Sequence, residues 1–177
     1  MTERTPQSEA ENRLNRWVRE YAPGLFGFLM VTVRDRHRAE DLLQEVFCRA
    51  WEARGRYTES GLERAYLWRI ADRAARDYLR VRRRETPVDD AAWSQLEPTD
   101  AGETDPSAML RQAELKKQLS SAMEALSEPQ RRAVLLRYYG HLEFHEIAAV
   151  LDCPLNTALS HVRRGLAVLR RVLVEMP

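Results

Sequence analysis

The chain has 177 residues, 44% of them hydrophobic and 31% charged, with a formal net charge of +1. That is enough apolar material for one packed domain or two small ones, and no apolar run approaches the roughly 20 residues a membrane-crossing helix needs. The N-terminus, MTERTPQSEAENR, lacks the apolar stretch of a secretory signal, and Cys48 and Cys153 fit no metal or redox spacing. The expectation is a cytosolic protein with two inert thiols, buried or half-buried.

Residues 1–10 are polar and read as a disordered tail. From there apolar residues recur at Leu14, Trp17, Val18, Tyr21, Leu25, Phe28 and Leu29, which is helical spacing, with Pro23-Gly24 predicting a break or kink. Arg34 to Arg38 reads as a polar connector. Arg38 to Arg54 is the most periodic stretch: Ala39, Leu42, Leu43, Val46, Phe47, Ala50 and Trp51 make one apolar stripe. Its other face carries Glu40, Asp41, Gln44, Glu45 and Cys48. Such a face is either plain solvated surface or a docking site for a basic partner. Gly55 to Gly61 reads as a loop.

Leu62 to Arg84 is helical again, with Leu67, Ile70, Ala71, Ala74 and Tyr78 as the stripe to bury. A second stripe holds Arg69, Arg73, Arg76, Arg80 and Arg83, thickened at its end by Arg82 and Arg84. A row of arginines repels itself unless anions neutralise it, and the phosphates of a nucleic acid do so. Tyr66 and Trp68 lie beside the row, where exposed aromatics would suit stacking on unpaired bases. The plainer alternative pairs the row with Glu63, Asp72 and Asp77 and places Trp68 in the core.

Residues 85–107 change character. Seven acids, no lysine or arginine, and Pro87, Pro98, Gly102 and Pro106 mark an acidic flexible linker. Its charge offsets the basic faces on either side, so a net charge near zero hides two basic regions. Helix resumes over Ala108 to Leu126, with Leu115, Leu119, Met123 and Leu126 on one face.

Three short helices follow. Ser127 and Gln130 have capping-box spacing, Pro129 suits a first turn, and Gly140 marks an end. Leu142 to Leu151 forms the second helix, broken by Asp152-Cys153-Pro154. Asn156 or Thr157 caps the third. At about 100° per residue, Ala158, Val162, Gly165, Leu166, Leu169, Val172 and Leu173 gather on its inner side, and Ser160, Arg163, Arg164, Ala167, Arg170 and Arg171 face out. Two helices, a brief turn and an exposed basic second helix are the pattern of a DNA-binding helix-turn-helix. Ordinary three-helix cores share that geometry, so spacing alone leaves both readings open.

Enzyme chemistry finds no foothold. There is no phosphate-cradling glycine loop, no nucleophile–base set and no paired carboxylates. His141 and His145 are four apart with no third ligand nearby, so no metal or other cofactor is expected. The reading is a non-enzyme.

Three blocks, taken together and in order, resemble the extracytoplasmic-function sigma factors of bacterial RNA polymerase. AEDLLQEVFCRAW (39–51) is similar to the family's core-binding helix. ERAYLWRIADRAARDYLRVRRR (63–84) resembles its minus-10 recognition and melting segment. LSEPQRRAVLLRYYGHLEFHEIAAVLDCPLNTALSHVRRGLAVLR (126–170) resembles its minus-35 helix-turn-helix. The resemblance implies an all-α chain of two small helical domains, at 11–84 and 108–177, joined by the acidic linker. It implies that Asp41, Gln44 and Glu45 face the clamp helices of core RNA polymerase. Arg69, Arg73, Arg76, Arg80 and Arg83 would take minus-10 phosphates, and Tyr66, Trp68 and the loop from Tyr57 to Gly61 would hold a flipped base. Thr157, Ser160, His161, Arg163 and Arg164 would meet minus-35 DNA. Core polymerase and promoter DNA are the implied partners. An anti-sigma factor is a further one, and this chain itself makes no membrane contact.

The chain departs from the family pattern at several positions. Arg73 stands where asparagine is frequent, and Leu159 and His161 stand where basic residues are common. Leucine cannot make a bidentate guanine contact but can pack on a thymine methyl. Glu143 replaces a small hydroxyl cap, and Asn156 a frequent glycine. These departures predict an unusual minus-35 sequence.

Overall fold

The computed structural model describes residues 6–55, 63–85, 114 and 118–175. All regular structure among them is helical. Helix α1 spans Pro6–Val33 and α2 spans Arg36–Glu52, closed by a 3₁₀ turn at Ala53–Gly55. Helix α3 spans Glu63–Glu85. Helical residues 118–124 form α4. Then come α5 (Glu128–Gly140), α6 (Phe144–Leu151) and α7 (Leu155–Glu175). The loop from Tyr57 to Gly61, the acidic linker and Leu115 lie outside the described residues.

Helix α1 differs from its expectation in two places. It begins at Pro6, within the stretch read as a tail, and it continues as helix through Pro23-Gly24 without a break. Interior proline opposes a helix by about 3 kcal/mol. Burial on both sides outweighs it: Trp17 lies before the proline, and Leu25, Phe28, Leu29 and Val33 after it are all in the core.

The connector to α2 is only Arg34 and Asp35. Arg34 takes a left-handed backbone with φ of 58°. Asp35 then caps α2, its carboxylate accepting from the Arg38 N–H at 3.0 Å. The predicted stripe of α2 turns inward, with Ala39, Leu42, Val46 and Ala50 buried. It packs on α1 and α3, so α1, α2 and α3 form one helical half.

In the C-terminal half, the predicted capping box forms: Ser127 N–H donates to Gln130 Oε1 at 3.2 Å. Gly140 does end α5, but the left-handed position falls one residue later, on His141, with φ of 48°. The second helix starts at Phe144 rather than Leu142, because Glu143 caps it in a box with Glu146. Asp152 ends it in the left-handed region, with φ of 52°. Helix α7 starts at Leu155, and the Pro154 carbonyl accepts from Thr157 and Ala158 at 2.9 and 3.1 Å. Asn156 and Thr157 therefore sit in the first turn, past the cap.

Two leucines expected inside α7 are outside: Leu166 is 52% exposed and Leu173 is 37% exposed. Leu166 lies about 80° around the helix from Ala158, at the rim of the packed stripe, and Leu173 lies near the free end. Helices α5 and α6 have 13 and 8 residues against 21 in α7. At 1.5 Å per residue, α7 overhangs its partners. Gly165 is a close approach, where a Cβ would meet Val134 Cγ2 at 2.8 Å, and Val168 and Leu169 beyond it still pack against the core. Leu119 of α4 is likewise exposed, whereas Met123 and Leu126 are buried as expected.

The halves touch. Helix α5 packs on α1, and α6 packs on α3, so one apolar cluster runs through both.

Candidate nucleic-acid interface

Three surfaces carry the residues that matter. The first is the outer face of α2. Asp41 and Gln44 are exposed, and Glu45 is half-buried and paired with Arg49. Arg36–Glu40 and Arg38–Asp41 lie on the same surface at 3.0 and 3.4 Å. These are exposed pairs, each worth less than about 1 kcal/mol, so a stronger cationic partner could displace them. Cys48 is exposed on this helix, contrary to expectation, because its position falls on the outer side of the stripe. Cys153 is half-buried, and burial pushes its thiol pKa up.

The second surface is the outer side of α3. Arg69, Arg73, Arg76 and Arg80 are exposed along it. The side chain of Arg83 lies outside the described residues. Arg80 pairs with Asp77 at 3.2 Å, and Arg76 with Asp72 at 3.1 Å. No ion pair joins Arg69 or Arg73 to another described residue. The two aromatics do not stand beside the row as free stacking platforms. Trp68 is only 2% exposed, and it meets the edge of Tyr21 at 5.8 Å. Tyr66 is half-buried against Trp17 at 6.4 Å, and burial raises its pKa. The expectation of exposed aromatics fails because α3 is covered on two sides. Leu67, Ala71 and Ala74 form one buried side, and Ala65, Trp68, Asp72 and Ala75 another.

The third surface is the helix-turn-helix. Arg163, Arg164, Arg170 and Arg171 are exposed, and Ser160, Thr157 and His161 are half-buried. Ala158 and Val162 anchor the other side of α7 in the core. Leu155 and Leu159 are exposed one turn apart at the start of the helix, giving this end an apolar tip within a basic face. The arrangement presents point charges for phosphates and methyl groups for base edges at the same end.

Sequence reasoning missed a fourth set. Arg64, Trp68 and Asp72 recur every four residues on α3 and face the C-terminal half. Arg64 Nη2 lies 2.8 Å from Glu146 Oε2. Arg132 grips Asp72 with both nitrogens, Nε to Oδ1 at 2.7 Å and Nη2 to Oδ2 at 2.6 Å. The signal was present as a third stripe on a helix already read as two-faced. Their partners, 60 and 82 residues away, could not be read from spacing.

No group of three or more metal-ligating side chains occurs among the described residues. No described helix is long and apolar enough to cross a membrane.

Residues 17–85 match the Sigma-70 region 2 family, and residues 116–169 match the Sigma-70, region 4 family. The chain is 29% identical over 154 residues to the RNA polymerase sigma-H factor of Pseudomonas aeruginosa, covering 84% of this chain and 79% of that one. It is 30% identical over 130 residues to the ECF RNA polymerase sigma-E factor of Escherichia coli K12, covering 71% and 68%. Among solved structures, the sigma factor RpoE in complex with the anti-sigma factor NepR from Bartonella quintana superposes with a TM-score of 0.72 at 21% identity, over 92% of this chain and 98% of that one. CnrH in complex with the cytosolic domain of CnrY gives 0.70 at 18%, over 97% of each. With both sigma regions present in order, and a relative matched at this identity over most of its length, the chain belongs to the extracytoplasmic-function sigma factors.

Proposed function

We propose that the chain is the promoter-specificity subunit of a bacterial RNA polymerase, working in the cytoplasm and catalysing nothing itself. The outer face of α2, with Asp41, Gln44 and Glu45, docks on the core enzyme. Arg69, Arg73, Arg76 and Arg80 hold the phosphates of the minus-10 element while its strands separate. Helix α7 enters the minus-35 major groove, with Arg163 and Arg164 on phosphates and Thr157, Ser160 and His161 at the groove edge. Leu155 and Leu159 favour thymine methyls there. Phosphate contacts supply much of the affinity, and base edges supply the choice. An anti-sigma factor, like the one bound to the Bartonella protein, is a further partner of the same chemistry.

The observation that carries this reading is the pairing of two separate basic helices with one acidic, amide-bearing helix face. A free-standing DNA-binding regulator has no use for the α2 face. The test is a pull-down of purified core RNA polymerase with wild type and with Asp41→Arg/Gln44→Ala/Glu45→Arg. Wild type is expected to bind and to direct run-off transcription, and the triple variant to lose both. Failure of wild type to bind, where another sigma factor does, would remove the initiation role.

A further inference from the structure

The first turns of α7 carry two leucines that the fold does not use. The Pro154 carbonyl accepts from the Thr157 and Ala158 N–H groups at 2.9 and 3.1 Å, so Leu155 is the first residue of the helix. Leu159 follows one turn on, and the two side chains lie roughly 40° apart around the axis. Leu155 is 48% exposed and Leu159 37% exposed, and neither belongs to the core cluster. Ala158 and Val162 hold this part of α7 to the core instead. A single exposed leucine needs no explanation. Two on one line do need one, when they stand at the end of the helix that meets base edges.

Their neighbours supply the polar part of a DNA-reading surface. Asn156, Arg163 and Arg164 are exposed, and Thr157 and Ser160 are half-buried. These side chains bring charge, amide and hydroxyl groups, whereas the leucine pair brings neither a donor nor an acceptor. Every base pair shows hydrogen-bonding groups in the major groove, and the one apolar group among them is the C5 methyl of thymine. A leucine laid on the amino group of cytosine, or on the acceptors of guanine, strips water from them and returns no hydrogen bond. A leucine laid on a C5 methyl buries apolar surface on both sides of the contact. What decides is therefore the methyl group, not the base that carries it. Methylation of cytosine at C5 puts the same group on the same ring carbon, facing the same groove.

We propose that Leu155 and Leu159 make the tip of α7 a reader of pyrimidine C5 methyl groups, so that it accepts 5-methylcytosine in place of thymine and promoter use rises with cytosine methylation in the minus-35 element. The inference rests on the minus-35 role proposed above and gives that site a regulatory input. A promoter with a cytosine under the leucine pair is weak when unmodified and gains strength when that cytosine is methylated.

The test uses the holoenzyme that the full-length chain forms with core RNA polymerase. Its minus-35 element is first selected from a randomised library. Each thymine of the selected element, on either strand, is then replaced by uracil, which removes the methyl and keeps every hydrogen-bonding group. Each is also replaced by cytosine and by 5-methylcytosine, with guanine opposite. At one or two positions, binding is expected to weaken about fourfold from thymine to uracil, as about 0.8 kcal/mol for one buried methyl implies. At the same positions 5-methylcytosine is expected to bind about fourfold more tightly than cytosine. Leu155→Ala/Leu159→Ala keeps a good helix former at both exposed sites. It is expected to lose both differences with its circular dichroism unchanged.

Equal binding of thymine and uracil throughout the element overturns the inference, as does a selected element without thymine. Either result leaves the minus-35 role standing. A difference that survives in the double variant overturns the assignment to the leucine pair. A preference for thymine over uracil with no gain from 5-methylcytosine overturns the regulatory input. A holoenzyme that selects no minus-35 element removes the minus-35 role itself, and the inference falls with it.

Discussion

Helices α3 and α7 are the two basic helices of this protein, and they are held in opposite ways. Helix α3 is gripped on two sides: Leu67, Ala71 and Ala74 are buried on one, and Trp68 and Asp72 on the other. Helix α7 is held on one side only, by Ala158, Val162 and Gly165 with Val168 and Leu169 packed beyond them, and carries Leu166 and Leu173 in solvent. The arginine row of α3 is partly met by Asp72 and Asp77, whereas the four exposed arginines of α7 have no such ion pairs among the described residues. The difference teaches that a basic stripe can belong to two designs. In α3, charge and packing share the same helix turns, so altering one disturbs the other. In α7 they are separable, and its outer face can vary with the promoter without cost to the fold.

The largest test of that contrast compares leucines. Leu67→Ala in α3 is expected to destabilise the chain by about 2–5 kcal/mol through a buried cavity. Leu166→Ala in α7 is expected to change stability by less than about 0.5 kcal/mol. Urea denaturation of both would show it, and similar effects in the two would mean that α7 is as deeply held as α3.

Next comes the ion pair that gives α3 its second buried side. Replacing both partners, as Asp72→Leu/Arg132→Leu, is expected to leave stability unchanged or to raise it by about 1–4 kcal/mol. A marked fall in melting temperature would show that the charges stabilise as well as specify.

On α7, Leu159→Arg is expected to change the preferred base at one minus-35 position by about 1–3 kcal/mol and to leave the melting temperature alone. Selection from a randomised minus-35 library reads this directly. Arg163→Ala/Arg164→Ala is expected to weaken binding to all sequences alike. It should lower the salt slope of promoter binding by about one for each phosphate that no longer meets an arginine. A change of base preference instead would place these arginines on base edges.

The smallest effect is alkaline. Burial, helped by a hydrogen bond and the charge of Glu20, pushes the Tyr21 pKa up to about 12. Burial also raises Tyr139. The unfolded chain then loses these protons first, so stability should hold below about pH 10 and decline from there towards pH 12. Absorbance titration of the tyrosinates, beside stability against pH, would test it.

Much of this could be read in the one-dimensional chain. Periodicity marked α2, α3 and the helix-turn-helix, and the Ser127/Gln130 box set the start of α5, because these are local signals within a few residues. The acidic face of α2 and both arginine rows were legible for the same reason. Local rules failed where distant packing overruled them. Pro23 sits inside a continuous helix because the core on either side of it holds. Gly140 is small for Trp68, while the left-handed turn falls to His141. Leu166 is exposed because it falls at the rim of the α7 stripe, while Leu169 one turn nearer the helix end still packs inward.

By itself, the sequence determined which segments are helical, where charge gathers and which family the chain resembles. Only the tertiary structure decided that Trp68 is buried rather than offered to DNA, that Asp72 answers Arg132, and that Gly24 and Gly27 make room for Tyr139. Helical faces repeat every few residues and announce themselves locally. A pairing between residues 60 or more apart, as Asp72 with Arg132, exists only once two surfaces meet, and nothing in the spacing of either one names the other.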